Sequence, residues 1–267
     1  MLEWIQYALL GLLQGITEPL PISSSGHLYM ARLLFNIGET DVFFEVMMHF
    51  ASLFAVILVF KDKIIALIQG AYRALFKGSE DKAALHYIGL ILIGSLPVGV
   101  LGLTVASPLE SLLASSGLLV IGAALLVTGT FLWIVRPLTL TNERDTLTVK
   151  DAMVIGLFQA VAILPGISRS GSTLVGGLFR KISVRTIIEF SFMLYIPVTL
   201  GVSLLELLTL DATDLPLGPL SLAFVMSFIA TYVALKIFRS LATEGRLRGF
   251  AVYCVSVGLL AVILFFV

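Results

Sequence analysis

The chain alternates long apolar segments with short polar connections, and the apolar segments have the length of membrane-crossing helices. A helix of about 20 apolar residues spans the hydrocarbon core of a bilayer. Six segments fit that description, and the third and sixth contain no charged residue. We predict transmembrane helices at residues 43–60, 86–106, 117–135, 187–208, 219–238 and 249–267.

Two further apolar stretches, residues 4–34 and 152–179, are interrupted near the middle by Pro, Gly and Ser. These residues break helices, and neither half of either stretch is long enough to cross a membrane alone. Irregular backbone is tolerated at membrane depth only where it is buried in protein or lines a cavity. The pattern therefore predicts two re-entrant helix–loop–helix hairpins.

The composition agrees with an integral membrane protein. Of 267 residues, 58% are hydrophobic and only 13% are charged, about half the usual charged share of a soluble domain. The net charge is zero, which argues against a nucleic-acid partner, and the single Cys254 excludes a disulfide framework. The first residues have no positive region or cleavage site, so no removed signal peptide is expected. We predict an all-α polytopic membrane protein, residues 1–267 forming one domain.

Basic residues predict the orientation of the spans. Four connections contain 15 of the 17 Lys and Arg residues, and the alternate connections contain Glu110, Asp211 and Asp214 without any Lys or Arg. The six-span arrangement puts all four basic connections on one face, which the positive-inside rule makes cytoplasmic. The two basic residues outside these connections, Arg32 and Arg169, lie in the hairpins.

The two hairpins are copies of each other. A shift of 145 residues aligns 11–14 with 156–159 and, without a gap, 22–26 with 167–171, giving seven identities. A hairpin plus three spans makes one repeat, about residues 1–145 and 146–267. Because three is odd, the second repeat is inverted relative to the first. Inverted repeats with broken helices bring their loops together near the midplane, where transporters bind substrate.

The hairpin loops carry polar chemistry in an apolar setting. Glu18 and His27 lie in or beside the first loop and Arg169 in the second, among a row of hydroxyl-bearing residues. An ionised group at the bilayer centre costs roughly 2.5–3.5 kcal/mol. Glu18 and Arg169 could offset each other as a structural pair, but such a pair requires neither the imidazole nor the hydroxyl groups.

The imidazole and hydroxyl groups that the ion pair does not require suit a phosphate ligand. Gly26 and Gly171, with the serines beside them, stand where each turn opens a helix, and free N–H groups there form an anion site. Arg169 adds a planar fork matched to phosphate oxygens, His27 can move a proton near neutral pH, and Ser24 offers a nucleophilic hydroxyl.

With these residues the chain resembles the undecaprenyl pyrophosphate phosphatases, also called bacitracin-resistance proteins. Their signatures are (Glu/Gln)-x-x-x-Glu running into Pro-x-Ser-Ser-x-Gly-His, and Pro-Gly-x-Ser-Arg-Ser-x-x-Thr. Here they read Gln14 to Glu18 with 21–27, and 165–173. The resemblance covers essentially the whole chain. It implies hydrolysis of undecaprenyl diphosphate to the monophosphate carrier lipid, a divalent cation (Mg²⁺ or Ca²⁺), competition by bacitracin for the substrate, and a site open to the periplasm of a bacterial inner membrane.

The resemblance also implies roles for individual residues. Glu18, Ser24, His27, Ser168, Arg169 and Thr173 match functional positions of the family, and we add Ser23, Ser25 and Ser170 as lining groups. Glu18 is the expected metal ligand, because Gln14 is the less acidic variant at the other position. We expect Ser24 to attack the terminal phosphorus, with His27 as base or as acid. His27 as the nucleophile remains an alternative.

A second hypothesis is a transporter or flippase that carries a lipid phosphate or another anion, because the inverted-repeat architecture suits it equally well. Ser24 and His27 discriminate between the two. A carrier needs Arg169 and an anion site but no nucleophile with a proton-transfer partner. A lipid phosphatase of the type related to soluble acid phosphatases is excluded, since it needs a second His after a Ser-Arg pair and no His follows His86.

Overall fold

The computed structural model describes residues 2–35, 42–78, 80–209 and 216–267, and most of these residues are helical. Within these ranges the only β contact is one isolated bridge between Arg144 and Ile182. The helices are α1 (Leu2–Thr17), α2 (Ser24–Phe35), α3 (Val42–Val59), α4 (Lys61–Phe76), α5 (Ala83–Val135), α6 (Val149–Val161), α7 (Arg169–Phe179), α8 (Val184–Thr209), α9 (Leu217–Thr243) and α10 (Arg248–Phe266). A 3₁₀ turn, Arg136–Leu140, follows α5.

Five helical segments of the described chain are long and apolar enough to cross a membrane. They are Ala83–Gly102, Ser116–Leu140, Val184–Leu208, Leu217–Thr243 and Arg248–Phe266. Each overlaps one predicted span, so the prediction of an all-α, multi-pass membrane protein is confirmed. The first segment and most of the second belong to α5, which is kinked at Ser116, where the backbone leaves the helical region (φ −150°, ψ 30°).

The first predicted span, residues 43–60, differs from the others. Phe43–Val59 qualifies only together with Lys61–Phe76, and the two helices are bent by 75° at the break. We expected a basic loop after residue 60, but the structure has the 16-residue helix α4 there, with no buried residue. Its exposed face includes Ile65, Ile68 and Leu75. Apolar and cationic faces on one helix are typical of a helix in the membrane interface.

The two interrupted segments fold as pairs of short helices. α1 and α2 have 16 and 12 residues, and α6 and α7 have 13 and 11. None reaches the length of a span. The breaks fall where the sequence places proline and glycine, and Gly166 takes the left-handed conformation (φ +97°) that glycine adopts without strain.

Small residues allow the interrupted segments to approach the spans closely. A Cβ at Gly11 in α1 would lie 2.3 Å from the backbone oxygen of Ala223 in α9. A Cβ at Gly156 in α6 would lie 2.2 Å from the backbone oxygen of Gly94 in α5. Close backbone approach through small residues is how helices associate in lipid. A side chain at either glycine would push the helix away from its neighbour.

A buried carboxylate ties the ends of the second interrupted segment together. Asp151, with no solvent exposure, lies in the first turn of α6 and accepts hydrogen bonds from Arg144 and Arg180, each at 2.7 Å. Thr148 caps α6 in a capping box with Asp151. Burial alone raises the pKa of Asp151, but the hydrogen bonds from Arg144, Thr148 and Arg180 outweigh it and hold the pKa well below its usual range.

Asp151→Asn should destabilise the protein by about 2–3 kcal/mol. Breaking a fully buried ion pair costs about 3–5 kcal/mol, and we expect less here because each arginine side chain keeps 32% of its surface exposed. Because the folded-state pKa is depressed, the contribution is complete above the unfolded pKa of about 4 and is lost as pH falls through the folded pKa. Thermal unfolding in detergent measures it. The exposed Glu143→Gln is the control, and an unchanged melting temperature for Asp151→Asn would contradict the prediction.

Candidate active site

The loops of the two interrupted segments meet and are hydrogen-bonded to each other. The backbone N–H of Gly166, in the second loop, donates to Oγ of Ser23 in the first loop at 3.1 Å. Ser170 Oγ, at the start of α7, donates to the backbone oxygen of Leu20 at 2.9 Å, and Ser168 Oγ donates to the same oxygen at 3.4 Å. Residues about 145 positions apart therefore form one site.

Serines cap both helices that leave these loops. Ser168 caps α7, its Oγ accepting from the N–H of Gly171 at 3.1 Å. Ser23 Oγ accepts from the N–H of Gly26 at 3.4 Å, and Ser23 adopts a left-handed backbone conformation (φ 67°). A non-glycine residue in that conformation costs about 1–3 kcal/mol and persists where its surroundings hold it. The N–H groups of Gly26 and Gly171, expected to be free for an anion, are bonded within the protein.

Glu18 is the centre of the polar contacts. Its Oε2 accepts from Ser24 Oγ at 2.6 Å and from Gln14 Nε2 at 3.1 Å. Its Oε1 accepts from Arg169 Nη2 at 3.2 Å, so the predicted Glu18–Arg169 pair is present in the structure. The carboxylate is nearly buried, at 9% exposure. Ser24, one of its donors, is partly exposed and can meet a ligand.

Two polar atoms beside this carboxylate are buried without a partner among the described residues. They are Nη1 of Arg169, a donor, and Oε1 of Gln14, an acceptor. A buried donor or acceptor left unpaired costs roughly 1–3 kcal/mol, so such atoms are rare away from functional sites. An unpaired guanidinium donor suits an anionic oxygen, and an unpaired amide oxygen next to a carboxylate suits a cation.

Aromatic rings hold the arginine in place. The guanidinium carbon of Arg169 lies 4.2 Å from the ring centroid of Tyr195 and 5.2 Å from that of Phe192, both on α8. Such cation–π contacts are stronger in a desolvated site than in water. The two rings and Glu18 therefore fix the orientation of the Arg169 guanidinium, and its Nη1 remains available for a ligand.

His27 is hydrogen-bonded through both ring nitrogens. Its Nδ1 lies 2.7 Å from the backbone oxygen of Ser23, and its Nε2 lies 2.7 Å from the hydroxyl of Tyr253 on α10. Because a carbonyl only accepts, Nδ1 carries the proton, and in the neutral imidazole Nε2 accepts from Tyr253. We expected His27 to act as the base for Ser24 or as the acid that assists the leaving group. The hydroxyl of Ser24 is bonded to Glu18 and not to His27, which favours the second of these roles.

Tyr253 and Tyr195 belong to the site and were missed by the sequence analysis. Tyr253 stacks on His27 with ring planes 8° apart and centroids 5.6 Å apart. Both tyrosines lie within apolar spans, 226 and 26 residues away from the site residues that they contact. Their only signal in the sequence is a polar hydroxyl inside a span, which also occurs at membrane interfaces.

The remaining predicted site residues divide by exposure. Ser25 is exposed and contacts Ser23 Oγ at 3.3 Å. Ser168 and Ser170 are buried and hold the loops together. Thr173 is fully buried, with its Oγ1 2.6 Å from Ser191 Oγ on α8, so it joins α7 to α8 and does not contact Glu18.

A protein-only metal cage is absent from the described residues, where no three His, Cys, Asp or Glu side chains are grouped closely enough to hold an ion. The oxygens beside Arg169 that could contribute to a cation site are the carboxylate of Glu18 and the unpaired Oε1 of Gln14. Mg²⁺ is typically held in this way, by one or two carboxylates with water and substrate phosphates.

Comparison with known proteins shows the family of the chain. Residues 7–260 match the family described as bacitracin resistance protein BacA. The chain belongs to this family. It is 40% identical over 263 residues to a protein of Oceanobacillus iheyensis named undecaprenyl-diphosphatase, covering 97% of this chain and 96% of that one. It is 38% identical to undecaprenyl-diphosphatase 2 of Bacillus thuringiensis, covering 97% of each chain. It is 39% identical to undecaprenyl-diphosphatase 1 of Halalkalibacterium halodurans, covering 96% of this chain and 94% of that one.

Proposed function

We propose that this family member is an integral membrane phosphatase that hydrolyses undecaprenyl diphosphate to undecaprenyl phosphate and inorganic phosphate. The observation that carries the proposal is the partly exposed hydroxyl of Ser24, 2.6 Å from the Glu18 carboxylate that also bonds Arg169. A nucleophilic hydroxyl, a carboxylate that can accept its proton and a guanidinium that can bind phosphate thus lie together. The names of the three similar proteins supply the substrate.

The geometry favours covalent catalysis through Ser24. Ser24 Oγ attacks the terminal phosphorus while its proton passes to Oε2 of Glu18, the atom that it already contacts. The bond from that phosphorus to the bridging oxygen breaks, and undecaprenyl phosphate leaves. Water then attacks the phosphoserine, and inorganic phosphate departs as Ser24 regains a proton. Nη1 of Arg169, unpaired within the described protein, would bind the oxygens of the transferring phosphoryl group.

His27 would assist the leaving group. Its Nε2 is bonded to the half-exposed Tyr253, so a proton can pass between water, the tyrosine hydroxyl and the imidazole. The leaving phosphate oxygen would receive a proton from this pair. An alternative in which His27 itself attacks phosphorus would require Nε2 to leave Tyr253.

A divalent cation, Mg²⁺ or Ca²⁺, fits the site. Glu18 and Gln14 would hold it, with substrate phosphates and water as the other ligands. When bound, it would neutralise negative charge on the diphosphate.

The packing of the interrupted segments supports two inverted repeats with re-entrant hairpins. The first hairpin packs through Gly11 on α9, the second span of the second half. The second hairpin packs through Gly156 on the early part of α5, the second span of the first half. This exchange of equivalent contacts is what a two-fold relation between the halves requires. The 1–267 domain would then be one unit of two repeats.

The basic ends of the spans support a cytoplasmic face. Arg136 after α5 and Arg248 at the start of α10 both lie over the ring of Trp133. Lys63 after α3 pairs with Glu189 near the start of α8. We propose a bacterial cytoplasmic membrane, with these ends inside and the active site open to the periplasm. The enzyme would recycle the carrier lipid for peptidoglycan synthesis, and bacitracin would compete for its substrate.

This orientation makes a labelling prediction. Cysteines placed at Lys77 and Arg246, in a Cys254→Ser background, should resist an impermeant thiol reagent in intact cells and react after lysis. Cysteines at Glu110 and Asp214 should react from outside. The side chain of Glu110 and all of Asp211 and Asp214 lie outside the described residues. External labelling at position 77 would overturn the orientation and the inverted-repeat argument with it.

The transporter or flippase hypothesis accounts for the same architecture but not for Ser24. A carrier has no use for a hydroxyl bonded to a buried carboxylate. Phosphate release from a prenyl diphosphate by the purified protein, with and without chelator, separates the two hypotheses. We expect release that stops with chelator and returns with Mg²⁺ or Ca²⁺. A parent protein that releases no phosphate with any divalent metal would exclude the phosphatase.

A further inference from the structure

A basic cavity lies apart from Glu18, Ser24 and Arg169. Its volume is about 790 Å³, and four cationic residues line it: Lys61, Arg185, Lys236 and Arg239. They come from the start of α4, the start of α8 and the end of α9. We call it the basic cavity. Its lining has no residue in common with the active site.

The cations of the basic cavity are not neutralised in the way that neighbouring cations are. Among the described residues none of the four lies within salt-bridge distance of a carboxylate, whereas Lys63, two residues after Lys61, pairs with Glu189 at 2.7 Å. Asp145 attracts Arg185, but Asp145 is exposed to solvent and forms no salt bridge with Arg185, so water screens the attraction. An excess of positive charge therefore faces the cavity.

Two further carboxylates approach the basic cavity without cancelling this charge. Glu244 accepts from Ser240, a residue of the cavity wall, at 2.9 Å, and it also pairs with Arg246 at 3.1 Å. Asp62 follows Lys61 in α4 and is exposed to solvent. The charge of Glu244 is shared with Arg246, and the charge of Asp62 is screened by water.

An aromatic ring orientates one of the cations. The ammonium of Lys236 donates to the hydroxyl of Tyr232 at 2.6 Å and lies 4.2 Å from the ring centroid. Tyr232 is partly buried and also lines the cavity. Arg239 and Thr243, also in the lining, belong to the last turns of α9, and Arg185 belongs to the first turn of α8, so the cavity lies at the ends of two spans. The ends of spans lie at the membrane interface, at the depth of lipid headgroups. The cavity therefore lies at the level where a lipid presents its phosphate.

An apolar surface continues from the cavity along α9. Ile229, Val233 and Ile237 recur every four residues, so they form one stripe, and each is about half exposed. Leu58 of α3, which lines the cavity, is also exposed. A ligand that uses both surfaces has an anionic head and an apolar tail, which is the chemistry of a lipid and not of free phosphate.

We propose that the basic cavity binds the phosphodiester headgroup of an anionic phospholipid, with its acyl chains along the apolar stripe of α9. Basic pockets between transmembrane helices on the cytoplasmic side are suited to acidic headgroups. The volume is within the range of small-ligand sites, about 300–1,000 Å³. The assignment to the cytoplasmic leaflet rests on the orientation proposed above; the binding itself does not.

Lipid retention by the purified full-length protein tests the proposal. Native mass spectrometry from detergent, with phosphatidylglycerol and phosphatidylcholine of matched acyl chains, should show one preferentially retained phosphatidylglycerol. Lys236→Gln with Arg239→Gln should weaken that binding on the order of 30-fold, since each cation near a headgroup contributes roughly fivefold. The control is Lys77→Gln with Lys150→Gln, which removes the same charge from exposed positions outside the cavity and should bind like the parent.

Three results would overturn the proposal. They are equal retention of the two lipids by the parent protein, equal losses in the cavity and control variants, or displacement of phosphatidylglycerol by inorganic phosphate at the same concentration. The last would assign the cavity to a free anion. Hydrolysis of prenyl diphosphate is measured on the same samples and should be unchanged in both variants. Lipid retention does not depend on hydrolysis, so failure of the phosphatase proposal would be recognised separately.

Discussion

Ser24→Ala should reduce phosphate release by roughly 10³-fold or more, because it removes the atom that attacks phosphorus. Binding of the diphosphate should be largely kept. Arg169 retains its ion pair with Glu18 and its contacts with the rings of α8, and Gln14 retains its bond to Glu18. The measurement is phosphate release in detergent, with ligand binding recorded on the same samples.

Ser25→Ala is the matched control for this experiment. Ser25 is the next residue, is exposed, and bonds only to the hydroxyl of Ser23 among the described residues. It should keep most of the activity. His27→Gln, in contrast, should also cripple turnover, because glutamine can hydrogen-bond to Tyr253 but cannot carry a proton at neutral pH.

The outcome distinguishes an enzyme that uses Ser24 as nucleophile, an enzyme that uses another nucleophile, and a carrier. Full activity in Ser24→Ala would shift the nucleophile to His27 or to water. Loss of activity in Ser24→Ala and His27→Gln, with binding preserved, is the expected result for an enzyme. A carrier would change transport only modestly in both variants, and its parent protein would release no phosphate.

Arg169→Ala should lose at least 10²–10³-fold in turnover, the value of one preorganised charge donor, about 2.7–4 kcal/mol. Arg169→Lys should not restore it. An ammonium cannot bond Glu18 and a phosphate oxygen at once through a planar fork. In the structure Nη2 bonds Glu18 while Nη1 has no partner among the described residues, so both arms of the fork are needed.

A second deep arginine provides the control. Arg32 pairs with Glu45 at 2.6 Å, away from the loops, so Arg32→Lys should keep near-normal turnover. Thermal unfolding of each variant is recorded as well, because Arg169→Ala leaves Glu18 without its ionic partner. A folded Arg169→Lys protein with near-normal turnover would remove the arginine from its assigned role.

Much of the membrane architecture was predictable because burial in lipid imposes a strong pattern. A span needs about 20 apolar residues, and its backbone N–H and C=O groups are hydrogen-bonded within the helix, so hydropathy alone locates it. The predicted span 219–238 lies within Leu217–Thr243, and 249–267 nearly coincides with Arg248–Phe266. The helix α4 was missed because basic residues spaced along a short segment are as typical of a polar loop as of an amphipathic helix.

The candidate site was predictable as a set of residues but not as a set of contacts. The duplicated loops identified Glu18, Ser24 and Arg169, and the structure brings these three together. It also makes Glu18, and not His27, the acceptor from Ser24. Hydrogen-bond partners depend on side-chain direction at the level of an ångström, which residue order does not determine.

The sequence by itself determined five of the segments that are long and apolar enough to cross a membrane, where the helices break, and which polar residues stand at the breaks. Each of these follows from local properties: hydropathy, the missing N–H of proline, and the freedom of glycine. Only the tertiary structure decided that Tyr253 contacts His27, that Thr173 bonds to α8, and that cations from three helices line one cavity. These depend on how the helices pack, because contacts between residues far apart in the chain are set by the fit of whole helix surfaces and not by any local pattern.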